Sequence, residues 1–314
     1  MDDPLRVIAE QHGVFLRREA LACGYDDKTI ARKRRAGTWY RVRHGAYCFG
    51  DVWATYTAEE RHLALARAVL RTTPGPVVLS HSTALLLHGI AVWGADLTRV
   101  HVTRLDAGAA RIERDVVHHV AVCPPHDVVE VAGLPVVTPT RAVIEAATVQ
   151  SLESALVSAD NALHLGLSTP SGLYETFGEM HHWPGSQKIH VMFNQMDGRV
   201  ESVGESRSLF LFWRQGLPRP ELQFEVYDEN GCLVAVLDFV WHRERVFGEF
   251  DGKVKYGRLL RKGEDPGEAV FREKKREDQV RSITRYGCGR LVWRDLSFPR
   301  ETGDRFRSLL GRAA

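Results

Sequence analysis

The chain is 314 residues long, more than one hydrophobic core usually holds, so two or three domains are expected. Its 44% hydrophobic and 26% charged residues are those of an ordinary soluble globular protein, which excludes a chain too polar to bury a core. A formal charge of only +2 excludes recognition of a polyanion by net charge alone, so the places where basic residues cluster decide the matter; they cluster near both ends.

The five cysteines, Cys23, Cys48, Cys123, Cys232 and Cys288, are odd in number and too scattered for a zinc knuckle or a redox pair, which predicts reduced thiols in the cytoplasm. Met1-Asp2-Asp3-Pro4 is acidic where a signal peptide is basic, and no stretch approaches the ~20 apolar residues that span a bilayer. A cytoplasmic protein with no membrane partner is expected.

Residues 4–11 carry Leu5, Ile8 and Ala9 at helical spacing, with Gly13 closing the turn. Residues 17–23 fit a second short helix ended by Gly24. Asp26 or Asp27 can cap a third, which runs through Lys28, Ile30, Arg32, Lys33, Arg34 and Arg35 to Gly37. Residues 39–47 are β-rich and broken by Gly45, as a hairpin would be. Residues 1–52 therefore read as a winged helix-turn-helix, in which the third helix enters the major groove and the wing grips phosphates. Lys28, Arg32, Lys33, Arg34, Arg35, Arg41 and Arg43 are the candidate DNA-binding cations, with Trp39 and Tyr40 anchoring the wing. The competing reading is a solvated basic helix in a small bundle. Helix order, terminating glycines and a basic wing agree on DNA binding.

The phrase Arg35-Ala36-Gly37-Thr38-Trp39-Tyr40-Arg41-Val42-Arg43-His44-Gly45-Ala46-Tyr47 resembles the N-terminal domain of the AbiEi-type antitoxins. That resemblance implies a DNA-binding protein that represses its own operon and admits a cognate toxin as partner.

Residues 53–185 read as an α+β middle domain. A helical pattern spans 56–70, another follows the hydroxyl-rich cap Ser80-His81-Ser82-Thr83, residues 98–104 alternate as a half-buried strand, and 116–122 offer it a partner. Helices are predicted from Thr138 through Val149 and over 151–163. Ser80-His81-Ser82-Thr83-Ala84 and Pro139-Thr140-Arg141-Ala142-Val143-Ile144-Glu145-Ala146-Ala147 resemble phrases of AbiEi-like middle segments, although Ala142 and Glu145 replace the threonine and aspartate often found there. His81, His88, His101, His118, His119, His126, His181 and His182 show no i, i+4 pair flanking an acid on one helix, and the adjacent His118 and His119 point to opposite faces of a strand, so no metal is assigned to them. The glycines and prolines between 166 and 200 place a domain boundary there.

Residues 200–314 carry the sharpest chemical pattern. A helix over 202–215 is followed by strands over 222–226, 233–241 and 246–251, a basic helix over 271–286 and a last strand over 290–293, with Asp228-Glu229-Asn230-Gly231 as a hairpin turn. Asp238 and Glu249 fall in runs otherwise built for burial, where a carboxylate must be offset by a cation, a basic partner or a proton. The period of two puts Glu249, Asp251 and Lys253 on one strand face, and hairpin pairing brings Asp238 near Glu249. Two such carboxylates repel unless protonated or bridged, and Mg²⁺ prefers oxygen ligands of this kind. The order Glu205, Asp238, Glu249-Phe250-Asp251 resembles the acid signature of the restriction-endonuclease-like PD-(D/E)XK superfamily, and in particular its DUF559 or very-short-patch-repair-like branch. The resemblance implies an αβββαβ core, with Glu205, Asp238, Glu249, Asp251 and Lys253 as catalytic candidates, Asp238, Glu249 and Asp251 as ligands of Mg²⁺ or Mn²⁺, and DNA as substrate. Asp251 stands where the superfamily's lysine is usual, so Lys253, Lys274 or Lys275 would have to stabilise the developing charge. Lys274 and Lys275 also serve phosphate binding whether or not cleavage occurs. The alternative is that Asp238 and Glu249 pair with basic residues for stability alone.

The expectation is thus an α+β multidomain DNA-binding protein of the AbiEi-like antitoxin type carrying a nuclease-like domain, either cleaving phosphodiesters with Mg²⁺ or acting as a non-catalytic antitoxin or repressor. A pure protein-interaction scaffold would have no DNA affinity at all.

Overall fold

A computed structural model describes residues 3–106, 108–252 and 266–313. Packing divides the chain into two compact units, one of Met1–Ser158 with Leu167–His190, the other of Ala159–Gly166 with Val191–Ala314.

The first unit opens with α1 (Pro4–His12), β1 (Phe15–Leu16), α2 (Arg17–Ala22), α3 (Asp27–Arg35), β2 (Trp39–Arg43) and β3 (Ala46–Phe49). Asp3 caps α1 by accepting the Leu5 N–H, and Gly13 ends it with a left-handed φ of 72° that a side chain would resist. Of the two candidate caps for α3 it is Asp26 that accepts the Thr29 N–H, at 2.8 Å. The strands form an antiparallel sheet in the order β1-β3-β2, and Gly45 turns the β2–β3 hairpin. Leu5, Phe15, Ala20, Ile30, Trp39, Tyr47 and Phe49 form the core beneath. Trp39 is 2% exposed and meets the Phe15 and Tyr25 rings edge-on at 4.8 and 5.1 Å, so it holds the hairpin from inside.

Next come α4 (Gly50–Thr55) and α5 (Ala58–Thr72), the latter started by a reciprocal Thr57–Glu60 capping box. Ala64 and Ala68 of α5 pack against Val14, Leu16 and Ala46, and Arg71 bonds the Val14 carbonyl and Glu19, so this helix shares a core with the N-terminal segment. The chain continues through β4 (Val77–Leu79), α6 (His81–Leu87), β5 (Val100–Arg104), β6 (Arg111–Ile112), β7 (Val116–Val120), β8 (Val128–Val131) and β9 (Leu134–Val137). These strands make one sheet in the order β6-β7-β5-β4-β9-β8, with β5–β7 and β4–β9 parallel. The expected pairing of the 98–104 and 116–122 runs is present; β4, β6, β8 and β9 lie outside the sequence expectation because runs of two to four residues carry no readable period. α7 (Pro139–Val149) and α8 (Leu152–His164) follow as expected.

The 166–200 stretch differs from a plain linker. It holds α9 (Pro170–Met180) and α10 (Ile189–Gln195). Thr169 caps α9 ahead of Pro170 at its first position, and Leu173, Phe177, Met180, Ile189, Met192 and Phe193 are buried, which outweighs the helix-weakening glycines.

The second unit runs α11 (Val203–Arg214), β10 (Glu221–Tyr227), β11 (Leu233–Trp241), β12 (Val246–Asp251), α12 (Pro266–Thr284), β13 (Gly287–Val292), α13 (Trp293–Ser297) and α14 (Pro299–Ala313). The element order through β13 is the expected one; α13 and α14 are additional. The sheet order is β10-β11-β12-β13, antiparallel except for the parallel β12–β13 pair. On one face Phe239, Trp241, Val246 and Leu291 pack with Phe212 of α11 and Phe306 and Leu310 of α14. On the other, Leu237, Val240 and Phe247 pack with Val280 of α12. Among the described residues no helix is long and apolar enough to cross a membrane.

Candidate functional site

Two charged regions and one histidine group hold the chemistry. In the first, Ile30 turns one side of α3 into the core, which leaves Lys28, Arg32 and Arg35, spaced four and three residues apart, on one exposed face; Arg34, one turn after Ile30 near the end of the helix, is exposed as well. Arg41 is exposed on β2, and Tyr40 next to it stacks on Trp53 at 4.2 Å and 12°. Lys33 departs from the set: its ammonium lies 5.7 Å over the rings of both Tyr25 and Trp39. So does Arg43. A register shift in the β2–β3 pairing between Arg41 and Arg43 accompanies a side chain only 13% exposed, with Nε 3.3 Å from Asp115 and an Nη 3.8 Å from Glu113. Five of the seven predicted cations therefore face solvent; the other two are engaged within the unit.

The second region is the acid group. Asp238 precedes Phe239, which pairs with Gly248, and its Oδ2 accepts the Phe250 N–H at 2.7 Å. The hairpin thus does bring Asp238 and Glu249 together. Burial pushes the Asp238 carboxyl up to about 7, and the charges of Glu205 and Glu249 push the same way. Glu205 is itself raised by burial. It also belongs to the α11 cap: Ser202 Oγ donates to Oε1 at 2.7 Å, while the Glu201 N–H and Gln223 Nε2 donate to Oε2 at 3.0 and 3.1 Å. Glu249 faces guanidinium groups, with Oε1 accepting from Arg276 at 3.0 Å and Oε2 3.8 Å from Arg290, its register partner on β13. Glu277 extends this network to Arg290 and Arg281 at 2.7 Å each. Asp251 is half-buried at the end of β12. Lys253 and the side chain of Lys274 lie outside the described residues, whereas Lys275 is exposed on α12.

Mg²⁺ requires several oxygen ligands in near-octahedral array. As arranged, Glu205 and Glu249 are poorly placed to supply them, because the Glu205 oxygens accept hydrogen bonds in a helix cap and Glu249 is paired with arginines. The alternative offset for a buried acid, a basic partner, is what Glu249 has; Asp238 accepts the Phe250 N–H, and burial raises its carboxyl to about 7.

Among the described residues, the group of three whose potential ligand atoms all lie within 4.8 Å of one another is His81, His101 and His119. The rule that separates His118 from His119 holds, and it is what turns His119 to the face that His101 of the neighbouring strand occupies. His118 faces Glu113 instead, at 3.3 Å. Burial lowers the basicity of all three grouped rings, to about 3 for His101 and about 4 for His119, so they are neutral at physiological pH. No i, i+4 spacing announces such a group, since it is assembled from a helix start and two strands; the Ser80-His81-Ser82-Thr83 phrase is its only local trace.

Residues 2–50 match the family model described as a transcriptional regulator, AbiEi antitoxin. Two uncharacterized proteins of Mycobacterium tuberculosis, MT2308 of strain CDC 1551 and Rv2248 of strain H37Rv, are each 28% identical over 202 residues, 64% of this chain and 72% of theirs. The crystal structure of the RV2827C protein from Mycobacterium tuberculosis aligns with 71% of this chain and 87% of its own at 14% identity, with a TM-score of 0.40. The N-terminal segment is therefore similar to the AbiEi antitoxin regulators, over the same residues that carry the basic face.

Proposed function

We propose that this chain is a cytoplasmic DNA-binding transcriptional regulator of the antitoxin kind, in which residues 3–52 form a winged helix. In this reading α2 and α3 are the helix-turn-helix, α3 lies in the major groove and the β2–β3 hairpin tracks the backbone. The observation that carries it is the solvent-facing set Lys28, Arg32, Arg34, Arg35 and Arg41, displayed by two adjacent elements of the segment similar to transcriptional regulators. Phosphate contact by these groups releases counterions, so affinity falls with salt at a log–log slope of roughly −4 to −5 for five contacts. A cognate toxin is the protein partner this reading implies.

The test is fluorescence anisotropy with duplex DNA from upstream of the gene, across a salt series. Arg32→Ala/Arg34→Ala/Arg35→Ala weakens binding by about 100-fold or more and flattens the salt slope by about three. Equal affinity of the triple variant and the wild type would overturn the reading.

A second reading, Mg²⁺- or Mn²⁺-dependent DNA cleavage by a nuclease-like domain through Asp238, Glu249 and Asp251, rests on one observation: the Asp238 carboxyl is raised to about 7, first by burial and then by the nearby charges of Glu205 and Glu249. The guanidinium pairing of Glu249 opposes it. Plasmid incubated with pure protein and either ion should stay intact; nicking that disappears in Asp238→Ala would make the second reading the right one.

A further inference from the structure

We propose that His81, His101 and His119 form a binding site for one transition-metal ion of the Zn²⁺ class, independent of the DNA-binding face. The three rings come from separate rigid elements, the start of α6 and the neighbouring strands β5 and β7, and their ligand atoms lie within 4.8 Å of one another. His101 Nδ1 and His119 Nε2 are 2.9 Å apart, and the His81 ring lies 3.6 Å from that of His119 at 16°. Ligands at tetrahedral Zn–N distances stand roughly 3.3 Å apart. The observed spread brackets that value; because the His81 ring is stacked on that of His119, it must turn out of the stack for its nitrogen to meet the other two at one ion.

The backbone around the group is fixed by bonds that bridge its elements. The Ser80 N–H donates to the His101 carbonyl at 3.1 Å, and the His101 N–H donates to Thr83 Oγ1 at 2.9 Å, which clamps α6 to β5 on both sides of His81. Thr83 Oγ1 is held in turn by His62 Nε2 at 2.9 Å. His81 carries a left-handed φ of 52° on a side chain only 2% exposed, a costly conformation for a residue other than glycine and one that concentrates at ligand sites.

Glu145 is fully buried, and its Oε1 accepts from Arg141 Nε at 2.7 Å. His81 Nδ1 is hydrogen-bonded to Ser80 Oγ at 3.0 Å, and Glu145 Oε2, buried without a hydrogen-bond partner, lies 3.5 Å from the same nitrogen. Imidazole ligands suit Zn²⁺, Co²⁺ or Ni²⁺ rather than Mg²⁺ or Ca²⁺. His101 also lines a half-open pocket of about 450 Å³ with Gln150, whose amide nitrogen and oxygen are both buried without a hydrogen-bond partner. Three protein ligands leave a fourth position for water or a small ligand from that side.

The test is stoichiometry on the full chain after chelator treatment and gel filtration: Zn²⁺ titration by calorimetry, bound metal by elemental analysis, and the ligand-field absorption of the Co²⁺ form. The wild type should bind one ion per chain, with Co²⁺ giving a tetrahedral spectrum. His101→Gln and His119→Gln, at half-buried positions, should lose that ion and spectrum while melting cooperatively without metal; His118→Gln, on the opposite strand face, should keep both. Glu145→Gln should weaken Zn²⁺ binding about 10- to 100-fold. A wild-type chain that takes up no Zn²⁺, or uptake undiminished in both His101→Gln and His119→Gln, would overturn the site.

Discussion

The two charged regions reach opposite states. On α3 and β2, Lys28, Arg32, Arg34, Arg35 and Arg41 are exposed around a core sealed by Ile30 and Trp39, so their charge remains in water and available to a polyanion. Around β12, Glu249, Arg276, Glu277 and Arg290 are half-buried and satisfy one another. Solvated cations on a surface attract a partner, whereas desolvated charges must first find partners within the fold. The contrast teaches that a cluster of ionisable residues is functional only to the extent that packing leaves its charge unneutralised.

The contrast breaks first if the basic face does not depend on its aromatic support. Trp39→Ala should destabilise the N-terminal segment by about 3–5 kcal/mol, since a fully buried ring packed on Phe15 and Tyr25 is lost, and DNA binding should fall with the folded fraction. Thermal melting with anisotropy on the same sample checks it; intact binding in an unfolded segment would sever the link.

The second region is sharpened by pH. Asp160 is 2% exposed, accepts from Ser206 Oγ and from the Asp197 N–H at 2.8 Å, and burial raises its carboxyl to about 7, like that of Asp238. A raised folded value means that the folded state binds the proton more tightly than the unfolded one. The stabilisation is therefore complete below about pH 4 and is lost as pH rises through about 7. Over that window the loss amounts to at most about 4 kcal/mol per group. Asp160→Asn should remove the Asp160 part of the pH dependence of urea midpoints between about 4 and 7; an unaltered profile would show that burial is relieved by water.

Next in size is the ion pair itself. Arg276→Ala leaves Glu249 with the more distant Arg290 and should cost the second unit about 1–3 kcal/mol, read by denaturant unfolding, without changing DNA affinity at the N-terminal face. A large loss of DNA binding would instead make this network part of the interface. The smallest effect separates two arginines of one strand. Arg41→Ala should lower the salt slope by about one contact, while Arg43→Ala, whose charge already faces Asp115 and Glu113, should leave that slope nearly unchanged.

Long periodic elements were legible before any coordinates. α3, β11 and β12 fall where Asp26, alternating apolar residues and the Asp228–Gly231 turn put them, because those signals are local. The division between the two units falls within the 166–200 stretch, as expected, whereas the helices there are set by buried side chains rather than by its glycine content. Among the acids, proximity of Asp238 and Glu249 followed from hairpin pairing, but the arginines that meet Glu249 come from α12 and β13, more than 25 residues on, and no spacing rule reaches that far.

By itself the sequence determined the α+β character, the capped basic helix followed by a β-hairpin, and the placement of acids on adjacent strands, since each follows from periodicity and capping within one segment. Only the tertiary structure decided which cations stay in water, which acids are neutralised, and that three histidines from α6, β5 and β7 converge. Those outcomes depend on burial and on contacts between segments distant in the chain, and neither quantity is written in local order.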